Sequence, residues 1–226
     1  MVVIYLIIVA VVSYCIGASP IGALVAARQK IDIAKHGSGM MGTTNVLRTV
    51  GRRAAIVVLA GDLLKGVIAV VFARLIEPVF IVGEGRIELF GAVTSWLTVA
   101  SLLATGAVVL GHVWSLYLRF VYGEWHGGRG VATAMGAVLI VNPWVILFAA
   151  VVALPTIVIS RYVSLGSIVG ATAAGVAIVL LVALGQMDLL SLLFIAVSVF
   201  VIIGHRDNIQ RLLRGTERKL GERVKL

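Results

Sequence analysis

Charge is scarce in this chain, and acid scarcest of all. Of its 226 residues 13% are charged and 61% are apolar, with only 10 acidic side chains against 19 Lys and Arg. A soluble domain carries about 25% charged and 45–50% apolar residues. No polar stretch is long enough for a separate soluble domain, so one domain over residues 1–226 is expected. A single cysteine, Cys15, excludes an intrachain disulfide and a cysteine metal cage. Neither a GxxxxGKS/T phosphate loop nor an HExxH pair occurs, and no carboxylate cluster suits a divalent cation. Neither metal nor cofactor is therefore expected. The first charged residue is Arg28, so no basic leader precedes the first apolar run and no cleavable signal peptide is read.

What the chain has instead is a series of apolar runs near the roughly 20 residues that cross a bilayer. The net charge of +9 is uneven. Residues 28–53 carry Arg28, Lys30, Lys35, Arg48, Arg52 and Arg53 against Asp32 alone. Residues 206–226 hold Arg206, Arg211, Arg214, Arg218, Lys219, Arg223 and Lys225 against Asp207, Glu217 and Glu222. Residues 74–88 are mixed, with Glu77, Glu84 and Glu88 beside Arg74 and Arg86. Cytoplasmic loops collect Lys and Arg, so 28–53 and the tail are both expected inside. Membrane lipid headgroups explain this basicity, and no nucleic-acid partner is expected.

The spacing predicts spans over 3–27, with a kink at Pro20, from Ala54 to Phe72 or beyond, and from Gly91 to Leu110, with 77–90 a loop on the opposite side. Asn142-Pro143 breaks the next run into helices 131–141 and 144–159. Two further spans, 163–184 and one ending near Gly204, follow. The expected fold class is an all-α integral membrane protein with seven transmembrane helices, some short or broken, N-terminus outside and C-terminus cytoplasmic. Within the second span, Asp62 and Lys65 share a helical face. They are either a structural ion pair or a functional surface, since charge inside a span is costly.

Two polar loops fall on one side. The first, Lys35 to Arg48, holds Gly37, Gly39 and Gly42 within six residues, with Ser38, Thr43, Thr44 and Asn45 as short side-chain donors. Glycines allow backbone N–H groups to turn toward an anion. The second runs from Gly111-His112 to Gly123-Glu124-Trp125-His126-Gly127-Gly128-Arg129-Gly130, just before a helix start that suits phosphate. On the tail, His205 and Asn208 share a face of an amphipathic helix. These three patches predict a site for a phosphorylated, anionic substrate. No histidine is followed five residues on by aspartate, the pair that serves transfer from acyl-CoA in many glycerolipid enzymes. Acyl transfer here would rest on an already activated donor, with positioning and charge stabilisation.

Gly37-Ser38-Gly39 with Thr44-Asn45-Val46-Leu47-Arg48, Asp62-Leu63-Leu64-Lys65-Gly66, Gly111-His112 with Gly127-Gly128-Arg129-Gly130, and His205-Arg206-Asp207-Asn208-Ile209 with Gly215-Thr216-Glu217 resemble one family. It is the bacterial membrane-integral acyl-phosphate:glycerol-3-phosphate acyltransferases, the PlsY family. The resemblance covers nearly the whole length. It implies transfer of a fatty acyl group from acyl phosphate to the 1-position of glycerol 3-phosphate, giving lysophosphatidic acid and phosphate. It also implies a bacterial inner-membrane location with the site facing the cytoplasm. The family's functional residues fall on Ser38, Arg48, Arg129, His205 and Asn208. Asp62, Lys65, His112 and Arg206 are expected to support them. The family usually has lysine where Arg129 stands and asparagine where Met40 stands. The alternative is a transporter of phosphate esters, which would need polar groups near mid-membrane.

Overall fold

The structure is a computed structural model describing residues 1–81, 85–89, 91–123 and 125–223. Glu84, Glu124 and Lys225 lie outside the described residues. The chain opens with α1 (Val2–Ala18) and α2 (Ile21–Ala27), separated at Ser19-Pro20. Proline lacks an N–H and disfavours helical geometry in the residue before it; Ser19 is accordingly extended at ψ 127. A 3₁₀ turn (Ile33–Lys35) and α3 (Thr43–Thr49) carry the first polar loop. The long α4 (Arg52–Phe80) carries the second span beyond Phe72, as expected.

Strands β1 (Arg86–Leu89) and β2 (Ala92–Ser95) then form an antiparallel hairpin with Arg86 opposite Ser95. This short hairpin is the one sheet among the described residues of a fold that is otherwise all helical, as expected. Thr94 Oγ1 donates to Asp188 (2.8 Å), as does Thr98 Oγ1 (2.8 Å), so the hairpin is pinned to the turn before a later helix. The third span, α5 (Trp96–Val113), starts five residues later than Gly91, because Ser95 Oγ caps it by accepting from the Thr98 N–H at 3.0 Å.

After α5 come the short α6 (Leu116–Tyr122), α7 (Val131–Val141), α8 (Pro143–Ser160) and α9 (Val163–Ala183). The break at Asn142 is as expected: its Oδ1 accepts from the Trp144 N–H (3.0 Å) and Pro143 opens α8. A 3₁₀ turn (Leu189–Phe194), α10 (Ile195–Ile203) and α11 (Arg206–Leu213) end the described architecture. Among the described residues five helices are long and apolar enough to cross a membrane, or up to six if the pair Leu189–Ile203 with Arg206–Leu213, bent by 53°, counts as one span. Helix α7 has 11 residues, about 16 Å at 1.5 Å per residue, roughly half of a hydrocarbon core.

Helices α4 and α7 meet where Gly66 lies against the Thr133 carbonyl and Gly136 against the Leu63 carbonyl. A Cβ at either glycine would strike backbone, so this crossing exists only because both positions are glycine. It sets the start of α7, and with it the second polar loop, beside α4.

Candidate active site

The first polar loop is built around Asn45, in the first turn of α3. Its Nδ2 donates to the carbonyls of His36 (3.0 Å) and Met40 (2.9 Å), while Oδ1 accepts from the Ser38 N–H at 3.1 Å. Gly37 and Gly39 have φ of +66° and +71°, and a Cβ on Gly37 would collide with Asn45 Oδ1. The Asn45 amide is thus fully engaged in shaping the loop. Gly37 and Gly39 stand outside the cavity lining. Asn45 itself reaches the cavity lining, beside Ser38 and Thr44. Helix α3 begins at Gly42 without a side-chain cap, and the buried Thr43 Oγ1 has no partner among the described residues.

The second loop rests on His112, at the end of α5. Gly128 packs against the imidazole and Gly127 against the His112 carbonyl, so closely that neither could carry a side chain. The Gly127 carbonyl accepts from the Met41 N–H (2.7 Å), joining the two loops. Gly127 faces this packing and stands outside the cavity lining. Gly128 and Gly130 do line it, and α7 starts there without a side-chain cap. Beneath the loop, Asp62 Oδ1 accepts from Lys65 Nζ at 2.9 Å, and His112 Nδ1 faces the same oxygen at 3.5 Å. The last separation is an electrostatic contact rather than a hydrogen bond. Asp62 and His112 reach the cavity wall; Lys65 does not.

One cavity of about 420 Å³ joins all three patches. Its polar end is lined by Ser38, Gly42, Thr43, Thr44, Asn45, Arg48, Arg129, His205 and Asn208. Arg206 is not among them. Its side chain is 80% exposed beside Asp207, because it leaves α11 on the side opposite Asn208. Three residues that sequence reasoning left out of the site complete it: Ser164, Arg211 and Glu217. Glu217 accepts from Ser164 Oγ (2.8 Å), Asn208 Nδ2 (2.8 Å) and Arg211 Nε (2.7 Å). An acid just beyond Gly215, in a basic tail, was the available signal. Gly215, at φ +67°, ends α11 and turns the chain back.

The tail then crosses the site. Arg48 Nη2 donates to the Arg218 carbonyl (2.9 Å), and Leu220 exchanges hydrogen bonds with Arg161, at the α8–α9 turn. Arg129 Nε donates to the Gly204 carbonyl at 3.1 Å. Each guanidinium keeps further N–H groups for a ligand. Burial lowers the pKa of both Arg48 and Arg129, and Arg211 adds to the lowering at each. Three guanidiniums face one carboxylate, an excess of two positive charges that a phosphate dianion would neutralise. Burial raises the Glu217 carboxyl, but the hydrogen bonds from Arg211, Asn208 and Ser164 outweigh it and hold the group below its ordinary range.

His205 Nδ1 lies 2.7 Å from the Val201 carbonyl. A carbonyl only accepts, so Nδ1 carries the hydrogen and neutral Nε2 is an open acceptor. Burial, with Arg129 nearby, lowers the pKa of this imidazole. The Oδ1 of Asn208 is buried without a partner among the described residues. The site therefore offers cations for an anion, two acceptors for hydroxyls, and an apolar extension into the helices.

The family model for glycerol-3-phosphate acyltransferase matches residues 7–215. Similar proteins include glycerol-3-phosphate acyltransferase 3 of Dehalococcoides mccartyi, 40% identical over 96% of this chain and 97% of that protein. The glycerol-3-phosphate acyltransferase of Clostridioides difficile is 41% identical over 96% of each. The crystal structure of PlsY (YgiH), an integral membrane glycerol 3-phosphate acyltransferase, in its glycerol 3-phosphate form superposes with a TM-score of 0.75. It is 32% identical and 96% of each chain is covered. The lysophosphatidic acid form gives 0.71 at the same identity, covering 96% of this chain and 95% of that one. The chain belongs to the glycerol-3-phosphate acyltransferase family, among its membrane-integral PlsY members.

Proposed function

We propose that this protein transfers a fatty acyl group from acyl phosphate to the 1-hydroxyl of glycerol 3-phosphate, giving lysophosphatidic acid and inorganic phosphate. The observation that carries this is the single cavity, cationic at one end and aliphatic at the other. Arg48, Arg129 and Arg211 hold phosphate, with Ser38, Thr43, Thr44 and the uncapped start of α7 as further donors. Asn208 Oδ1 accepts from a glycerol hydroxyl. The 1-hydroxyl oxygen attacks the acyl carbonyl carbon, and its proton passes to His205 Nε2. The carbon–oxygen bond to phosphate breaks, and the phosphate leaves with the electron pair and takes up the proton. Cations fixed in a site sheltered from water stabilise the developing charge.

The chain acts as one transmembrane domain of seven segments, counting the short α7. Hydrogen bonds from Thr94 and Thr98 to Asp188 support placing the hairpin and the 184–188 turn at one end. Those between Arg161 and Leu220 support placing the α8–α9 turn at the other, with the site. Together with the basic 28–53 segment and tail, this favours an external N-terminus and a cytoplasmic site in a bacterial inner membrane. The test is purified protein with labelled glycerol 3-phosphate and either palmitoyl phosphate or palmitoyl-CoA. Lysophosphatidate is expected from the phosphate. Equal use of the thioester would overturn the donor; uptake into proteoliposomes with no product would restore the transporter.

A further inference from the structure

The aliphatic end of the cavity closes at one depth on several helices at once. Helix α9 turns Gly166, Gly170, Ala174 and then Ile178 toward it, at steps of four residues on one face. Helix α8 runs the other way and, below Ile157, presents Ala153, Ala149 and then Ile146. The last span offers Ser198 and then Phe194. On each, small residues give way to large ones at the same level. Beyond that level Phe194 and Ile178, 1% and 2% exposed, pack with Val138, Val145 and Ala177 into a closed cluster.

We infer that Phe194 and Ile178 form the floor of an acyl channel and set the longest chain the enzyme accepts. This rests on the acyl transfer proposed above, and it names the feature that selects among acyl donors. The channel length follows from the helices. From Ser164, beside Glu217, to Ile178 is fourteen residues, and from His205 to Phe194 eleven; at about 1.5 Å per residue these span about 21 and 16 Å. Carbon–carbon bonds of about 1.5 Å in a tetrahedral zigzag advance about 1.25 Å each. A chain starting level with His205 therefore meets the floor after about 14–18 carbons. Shorter chains leave part of the channel unfilled and lose apolar burial; longer ones run into Phe194.

Two substitutions move the floor in opposite directions. Phe194→Ala removes the ring and deepens the channel. Ala174→Phe raises the floor by one turn, about 6 Å or five carbons, at a position that already faces open space. The measurement is kcat/KM for acyl phosphates of 12, 16 and 20 carbons with glycerol 3-phosphate, in wild type and both variants. Phe194→Ala is expected to raise the ratio of 20- to 16-carbon activity at least tenfold. Ala174→Phe is expected to lower the ratio of 16- to 12-carbon activity at least tenfold. Should the deeper variant fail to fold, the shallower one decides alone. A wild-type chain profile in the folded variants overturns the floor assignment while leaving the reaction intact. No product from wild type at any chain length overturns the reaction, and the channel with it.

Discussion

Replacing Glu217 tests the part of the site that the tail supplies. Glu217→Ala removes the acceptor of three hydrogen bonds, from Ser164, Asn208 and Arg211. Ser164 and Asn208 are both buried, so each donor loses this acceptor, at about 1–3 kcal/mol apiece. The Arg211 side chain is 39% exposed and recovers most of its interaction from water, adding about 0–1 kcal/mol. The sum centres on about 4 kcal/mol. In a chain of this size that lowers the melting temperature by on the order of 10 °C. Glu217→Gln keeps one acceptor oxygen but turns an amide N–H₂ toward Arg211, so it falls between wild type and alanine. Thermal unfolding in detergent, followed by loss of the monodisperse size-exclusion peak, reads these shifts. A double-mutant cycle with Ser164→Ala isolates one hydrogen bond and should show coupling near 1 kcal/mol. The carboxyl is held below its ordinary value of about 4.5. Its contribution is therefore fully present above pH 4.5 and is lost as pH falls through the lowered folded value. Glu217→Gln should remove that acid sensitivity. A melting temperature within 2 °C of wild type for Glu217→Ala would refute the reasoning.

Three other outcomes are expected. Arg48→Ala and Arg129→Ala should each lower kcat/KM for glycerol 3-phosphate roughly tenfold to a hundredfold, from about 1.5–3 kcal/mol per charged hydrogen bond, while Arg129→Lys keeps much of the rate; full activity in either alanine variant removes that cation from the site. His205 has a lowered pKa, so the acid limb of kcat/KM against pH should lie below the ordinary histidine value of about 6.5, and Arg129→Ala should move it upward; a limb that persists in His205→Gln belongs to another group. Asp62→Asn and Lys65→Met should each destabilise the protein by about 3–5 kcal/mol, whereas the double change Asp62→Leu with Lys65→Met recovers most of it, as thermal unfolding would report; equal loss in single and double variants would show that the pair is not the unit.

Much of this architecture can be read along the chain, because bilayer-length apolar runs and local breaks are local signals. Asn142-Pro143 carries both a cap and a helix-starting proline, and the chain breaks there. Asp62 and Lys65, three apart, pair as helical spacing requires. The hairpin escaped because Ala92, Val93 and Thr94 continue an apolar run that reads as the start of α5. Only the Ser95 cap and the cross-strand register separate them. Arg48, Arg129, His205 and Asn208 do gather around one cavity. What spacing could not supply is contact between distant segments. His112 meets Asp62 across 50 residues, and Glu217 meets Ser164 across 53. The glycines show the same limit. Gly37 and Gly127 look like phosphate ligands in one dimension, yet each is small because a neighbour, Asn45 or His112, presses on it.

The cavity with one cationic and one aliphatic end has a consequence for how rates must be measured. Its two ends draw from different phases. In the proposed reaction glycerol 3-phosphate reaches Arg48 and Arg129 from water, and its occupancy follows a molar concentration. A long-chain donor reaching the channel walled by α8 and α9 comes from the bilayer or micelle, where concentration is a mole fraction per unit of surface. Adding detergent at fixed donor then dilutes one substrate and leaves the other untouched. The apparent KM for the acyl donor should rise in proportion to detergent, while that for glycerol 3-phosphate stays constant. Two enzymes of this kind can be compared only at equal surface composition.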